Sequence, residues 1–190
     1  MKSSHPFFHI SIISILISLF FLLISLEGCA QAYRPRSNWE LKEYSNSRLN
    51  IYPDEVRKNP EKFSDTQVAW AGIIKQSKFY KTSENIEVDL LLEHHYFDWH
   101  ENKNAPPLEY YLSSRGEGYF KTRWFFKKDV DLQYIYDRYI PDNLAIVYGV
   151  PRSVDADTVI VASNYVRVIN KKYYDADFYH YTPKDNNMGN

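Results

Sequence analysis

From residue 68 onward the chain breaks into short runs in which apolar and polar residues alternate, and that period of two restricts most of it to β-strands. Val68, Trp70, Gly72 and Ile74 alternate with Ala69, Ala71, Ile73 and Lys75, and the central glycine predicts a bulge or a sharp coil. Asn85 to Trp99 forms a second run, with Val88, Leu90 and Leu92 on one face and Asp89, Leu91 and Glu93 on the other. The third run, Gly118 to Phe126, is introduced by the turn-forming Arg115-Gly116-Glu117-Gly118. Asp129 to Tyr139 then reads as a short helix, with Asp131 capping its start and Leu132, Ile135 and Tyr139 on one face. Pro141-Asp142-Asn143 ends it. Leu144, Ile146, Tyr148 and Val150 begin a fourth strand, and a turn at Asp155-Ala156-Asp157 leads into a fifth, Thr158 to Ile169, rich in Val and Ile.

Five strands with one helix between the third and the fourth is the order of the OB-fold, a small Greek-key barrel that removes exposed edges by closing. The expected class is therefore mainly β: a five-stranded OB-like barrel over residues 53–170 with one or two short helices. Pro53 to Lys58 supplies one or two helical turns ahead of it, stopped by Asn59-Pro60. The chain has 190 residues, 25% charged and 44% hydrophobic, which excludes a disordered tail, a collagen-like rod and a polytopic membrane protein. A net charge of -1 gives no strong global field for nucleic acid or anionic lipid, although a local basic face remains compatible with it.

Extreme hydrophobicity is confined to the start of the chain. Ile10 to Leu26 carries no charge, only Ser as a polar interruption, and follows Lys2. The run is slightly long for the core of an export signal and slightly short for a spanning helix, so a cleaved signal and an uncleaved anchor helix compete. The sequence Leu26-Glu27-Gly28-Cys29 resembles the bacterial lipobox, with Glu27 where a small or apolar residue is usual. That resemblance implies a signal peptide over residues 1–28 and a first mature residue, Cys29, with diacylglycerol on its thiol and a further acyl chain on its amine. Cys29 is the only cysteine, so none is left for a disulfide within the chain. Each buried methylene of such chains contributes about 0.8 kcal/mol, enough in sum for stable attachment. Ala30, rather than the Asp associated with inner-membrane retention, implies the outer membrane. Residues 29–52, polar and containing Arg34-Pro35-Arg36-Ser37-Asn38, read as a tether.

Two stretches carry a further likeness. Asn59-Pro60-Glu61-Lys62-Phe63 followed by Val68-Ala69-Trp70-Ala71-Gly72-Ile73-Ile74, and Ala145-Ile146-Val147-Tyr148-Gly149-Val150 followed by Val159 to Ile169, resemble the opening and closing strands of Slp-type outer-membrane lipoproteins. The resemblance implies an OB-like barrel on a lipid anchor, in a family without established catalytic residues.

Three constellations could carry chemistry. His94, Asp98 and His100 are imidazole and carboxylate groups of the kind that bind zinc, and an extended strand through them would put all three on one face. Their order matches no zincin, so a solvated or hydrogen-bonded strand end is the plainer reading and a metal-dependent periplasmic hydrolase the alternative. On the third strand Tyr119, Lys121, Arg123 and Phe125 share a face, a combination that OB barrels use to hold sugar chains or single-stranded nucleic acid. Export argues against nucleic acid and leaves an envelope glycan or protein as the expected partner besides the membrane. The tail, 171–190, packs aromatic residues between Tyr173 and Tyr181, suited either to lying back over the barrel or to a partner interface. The chain has neither a Gly-rich phosphate loop nor a Gly-x-Ser-x-Gly elbow. The expectation is a non-enzymatic protein with no cofactor.

Overall fold

A computed structural model of the chain describes residues 30–102 and 108–179. The elements in order are β1 (Ala30–Ala32), α1 (Asn38–Asn46), α2 (Pro53–Lys58), a 3-10 turn (Pro60–Phe63), β2 (Val68–Lys81), β3 (Asn85–His95), β4 (His100–Asn102), β5 (Tyr110–Ser113) and β6 (Tyr119–Lys127). After these come α3 (Leu132–Arg138), β7 (Leu144–Asp155), β8 (Thr158–Ile169), a second 3-10 turn (Lys171–Tyr173) and β9 (Tyr174–Tyr179). Among the described residues no helix is long and apolar enough to cross a membrane.

β2, β3, β6, β8 and β7 close into a barrel in that order, every neighbouring pair antiparallel except β6 with β8, which is parallel. This is OB-like topology, and the expected mainly β architecture is present. Strand alternation builds the interior: Ile86, Val88, Leu90 and Leu92 of β3 meet Val68, Trp70 and Ile74 of β2, Phe120 of β6, Val147 of β7, and Val159 and Val161 of β8. Fully burying each such aliphatic side chain contributes roughly 1.5–3 kcal/mol. α3 packs against this core with Ile135 and Tyr139, and Asp131 caps it by accepting from the Gln133 N–H at 2.9 Å. Ala156 and Asp157 both take positive φ, 42° and 66°, the two-residue turn that matches the twist of a hairpin.

Three details depart from the sequence reading. Gly72 is not a bulge: it pairs regularly with His94 and Ala145, and the register shift falls between Ile74 and Gln76. A side chain at Gly72 would meet Phe120 Cε1 at 2.8 Å, so the glycine is there to admit a ring. The second barrel strand stops at His95 rather than running to Trp99, which has φ 59°, because His94 and Tyr96 turn their N–H groups to Gly118 and Arg115. The stretch expected as a tether folds onto the barrel from Tyr33, since Tyr33, Glu40 and Tyr44 find partners there.

That contact belongs to a second apolar layer outside the barrel. Ala69, Ala71, Leu144, Ile146, Tyr148 and Ile169 point away from the interior and are covered by Tyr33, Phe97, Tyr110 and Leu112. The aromatic C-terminal segment returns to this layer, β9 pairing in parallel with β5.

Candidate functional site

The third barrel strand alternates as the sequence suggests. Tyr119, Lys121, Arg123 and Phe125 point outward from β6, while Phe120 and Thr122 point in. Register extends the outward face across two more strands. Lys78, Asp89 and Arg123 align in one row, Tyr80, Glu87 and Phe125 in the next, and Gln76, Leu91 and Lys121 in a third. Tyr80, Tyr119 and Phe125 all expose more than two-fifths of their surface. A depression of about 360 Å³ lies on this face, lined by Gln76, Lys78, Tyr80, Asp89, Leu91, Lys121, Arg123 and Ile160. Tyr119 and Phe125 are six strand positions apart, roughly 20 Å, which suits an extended ligand better than a compact one.

Arg123, Lys121 and Lys75 are each paired with an acid, whereas Lys78 makes no ion pair among the described residues. Arg123 donates to Asp89 through Nε at 2.5 Å and Nη2 at 2.9 Å, and its Nη1 stands 3.1 Å from Glu87. Hydrogen bonding to Asp89 comes first among the influences that raise the guanidinium pKa, holding it firmly charged. Lys121 lies 3.7 Å from Asp155, and Lys75 donates to Glu93 at 3.0 Å. A polyanion would have to displace these carboxylates. A sugar hydroxyl can donate to a carboxylate and accept from the guanidinium together, with its ring face on an exposed aromatic.

The histidine cluster is taken apart by the turn at Trp99. His94 is buried at the end of β3, edge-on to Tyr52, Trp70, Tyr96 and Phe120, and its Nδ1 accepts from the Glu117 N–H at 3.1 Å. Asp98 and His100 are on the surface and hold each other locally, the His100 N–H donating to Asp98 at 3.1 Å. Among the described residues no group of three His, Cys, Asp or Glu side chains is placed to hold a metal ion. Cys29 lies outside the described residues.

The most elaborate polar constellation is one that sequence reasoning missed. Glu40 of α1, buried completely, accepts from the hydroxyls of Tyr33 and Tyr148 and lies 3.4 Å from Arg167 of β8. Arg167 also donates to the Tyr33 hydroxyl at 2.6 Å and the Tyr110 hydroxyl at 2.5 Å, with its guanidinium over both rings. Burial raises the pKa of Tyr33, Tyr148 and Tyr110. Burial works against the Arg167 charge, but Tyr33, Glu40 and Tyr110 outweigh it and the net shift is upward. The group joins the N-terminal segment, Tyr110 of β5 and the closing strand β8. Nothing in the sequence marks it, since Glu40 stands in a polar stretch read as a tether.

A larger cleft, about 560 Å³, lies beside this network and is lined in part by Arg36, Tyr110, Tyr134, Arg138, Arg167 and Tyr173. Its arginines are engaged within the protein: Arg36 with Glu101, Glu109 and Tyr110, and Arg138 with the Tyr134 hydroxyl and the Val168 carbonyl. No family model, curated protein or solved structure matches the chain.

Proposed function

We propose that this protein is a non-enzymatic, lipid-anchored component of the bacterial envelope, held at the outer membrane through Cys29, whose OB-like barrel binds a glycan on the β2–β3–β6 face. The observation that carries the binding role is that face: Tyr80 and the Arg123–Asp89 pair line a depression of about 360 Å³, and exposed Tyr119 and Phe125 stand on the same strand face to either side of Arg123. The anchor rests on the uncharged Ile10–Leu26 run and the lipobox-like Leu26-Glu27-Gly28-Cys29. The Slp-type resemblance, carried by the first, fourth and fifth barrel strands, agrees with the anchor.

Mass spectrometry of the protein purified from membranes tests the anchor: an acylated Cys29 at the amino terminus is expected, and an intact leader or a bare thiol refutes it. Co-sedimentation with purified peptidoglycan sacculi tests the ligand class. Retention that resists moderate salt is expected, because matched charges contribute little net attraction; retention abolished by salt would point to a polyanion instead.

A further inference from the structure

We propose that the glycan held on the β2–β3–β6 face is built of N-acetylated amino sugars, with the acetamide methyl of one ring seated on Leu91 and Ile160. This deepens the glycan reading above and rests on it. Register runs Gln76, Leu91, Lys121 and Ile160 into one outward row across β2, β3, β6 and β8. Leu91 and Ile160 alternate along their strands with Leu90, Leu92, Val159 and Val161, which are buried inside the barrel. Both are half-buried, neither packs with the interior or with the second apolar layer, and both line the depression of about 360 Å³. The next row, Lys78, Asp89 and Arg123, is charged. Two aliphatic side chains that stabilise neither core layer are thus left facing a polar depression.

The chemistry of the row says what covers them. A sugar hydroxyl gains nothing from aliphatic carbon, whereas an acetamide carries a methyl group beside a carbonyl and an N–H. The Lys121 ammonium lies 3.7 Å from Asp155, which leaves its methylene stem in the row between Leu91 and Ile160. Gln76 is exposed next to Leu91 in the same row, and its carboxamide can donate to the acetamide carbonyl and accept from the acetamide N–H. Neighbouring strands are about 4.8 Å apart, so the contacts for the methyl and for the amide fall within one substituted sugar ring. Tyr80 is four strand positions from Gln76, roughly 13 Å, and serves a neighbouring ring of an extended chain. The depression is at the small end of ligand sites, roughly 300–1,000 Å³, with room for a sugar ring but not for a folded segment.

Calorimetric titration of the full protein with chitotetraose and with cellotetraose tests this, because the two chains share their linkage and differ at C2, acetamide in one and hydroxyl in the other. Chitotetraose should bind at least roughly 10-fold tighter, the discrimination expected of a small apolar contact. Leu91→Ser and the gentler Ile160→Thr, which keeps the β-branch, should each bring the ratio of the two affinities toward one, with an unchanged circular dichroism spectrum showing that the fold is kept. Phe125→Ala should instead weaken both ligands by a similar factor, since a stacked ring face does not sense the C2 group. Equal affinity for the two sugars, or a preference untouched in both variants, overturns this proposal and leaves the glycan reading standing. Binding of neither sugar overturns it too, and loss of retention on sacculi alongside takes the glycan reading with it.

Discussion

Arg167 Nη1 lies 3.4 Å from Glu40 Oε1, across 127 residues of chain, with 8% and 0% of the two side chains exposed. One comes from the last barrel strand and the other from a helix ahead of the barrel. The pair therefore bolts the N-terminal segment to the closing strand.

Removing either partner leaves the other as a buried charge. Glu40→Leu or Arg167→Leu should each cost roughly 3–5 kcal/mol in urea unfolding. The double variant should lose markedly less than the sum of the two, because the stranded charge is gone. Strict additivity would show that the pair is not coupled.

Alkaline pH should unfold the protein through its tyrosines. Burial, then the nearby Asp142 charge, raise Tyr174 from its ordinary 10.0 to about 12, and burial raises Tyr33, Tyr110, Tyr139 and Tyr148 in the same direction. The unfolded chain releases these protons near pH 10 while the folded chain keeps them, so the contribution is complete below pH 10 and declines as pH rises toward 12. Denaturant midpoints measured across this window should fall, and Tyr174→Phe should flatten the fall. An unchanged slope in that variant would remove Tyr174 from the account.

Gly149 sits at a register shift between β7 and β8, where an added Cβ would stand 2.3 Å from the Ala162 carbonyl oxygen and 2.8 Å from Ser163 Cα. Backbone on a paired strand cannot step aside as a side-chain end can. Gly149→Ala should destabilise by about 3 kcal/mol, at the upper end for overpacking. Thermal unfolding reads this directly, and a shift of under a degree would mean that the strands separate more easily than their pairing implies.

Phe125 is half exposed and outside the core, so Phe125→Ala should leave stability within about 0.5 kcal/mol. On the glycan reading it should weaken binding to peptidoglycan fragments by roughly 5- to 10-fold, the loss of about 1 kcal/mol or slightly more expected of an aromatic anchor. Asp89→Asn should weaken binding too, by disturbing the Arg123 fork. Calorimetric titration separates the cases; unaltered affinity in both variants would move the ligand off this face.

Much of the barrel could be read without coordinates because its signals are local. The alternation in 85–93 and 119–126 marks which residues face the core, the Asp131 cap starts α3, and Asp155-Ala156-Asp157 turns between β7 and β8. The same alternation put Tyr119, Lys121, Arg123 and Phe125 on one surface. It could not show that Asp89 and Glu87 of the neighbouring strand take up the Arg123 charge, which is a matter of register between strands.

The sequence by itself determined the five barrel strands, their order around the helix between the third and fourth, the outward face of β6 and the apolar run that ends near Cys29, since each follows from spacing or composition within a few residues. Only the tertiary structure decided that His94 is buried apart from Asp98 and His100, that Gly72 makes room for Phe120 rather than forming a bulge, and that Glu40 meets Arg167. The reason is physical: these outcomes depend on which surfaces are brought together by chain closure, and a buried Glu on a short polar helix looks like a solvated one until its partner arrives from 127 residues away.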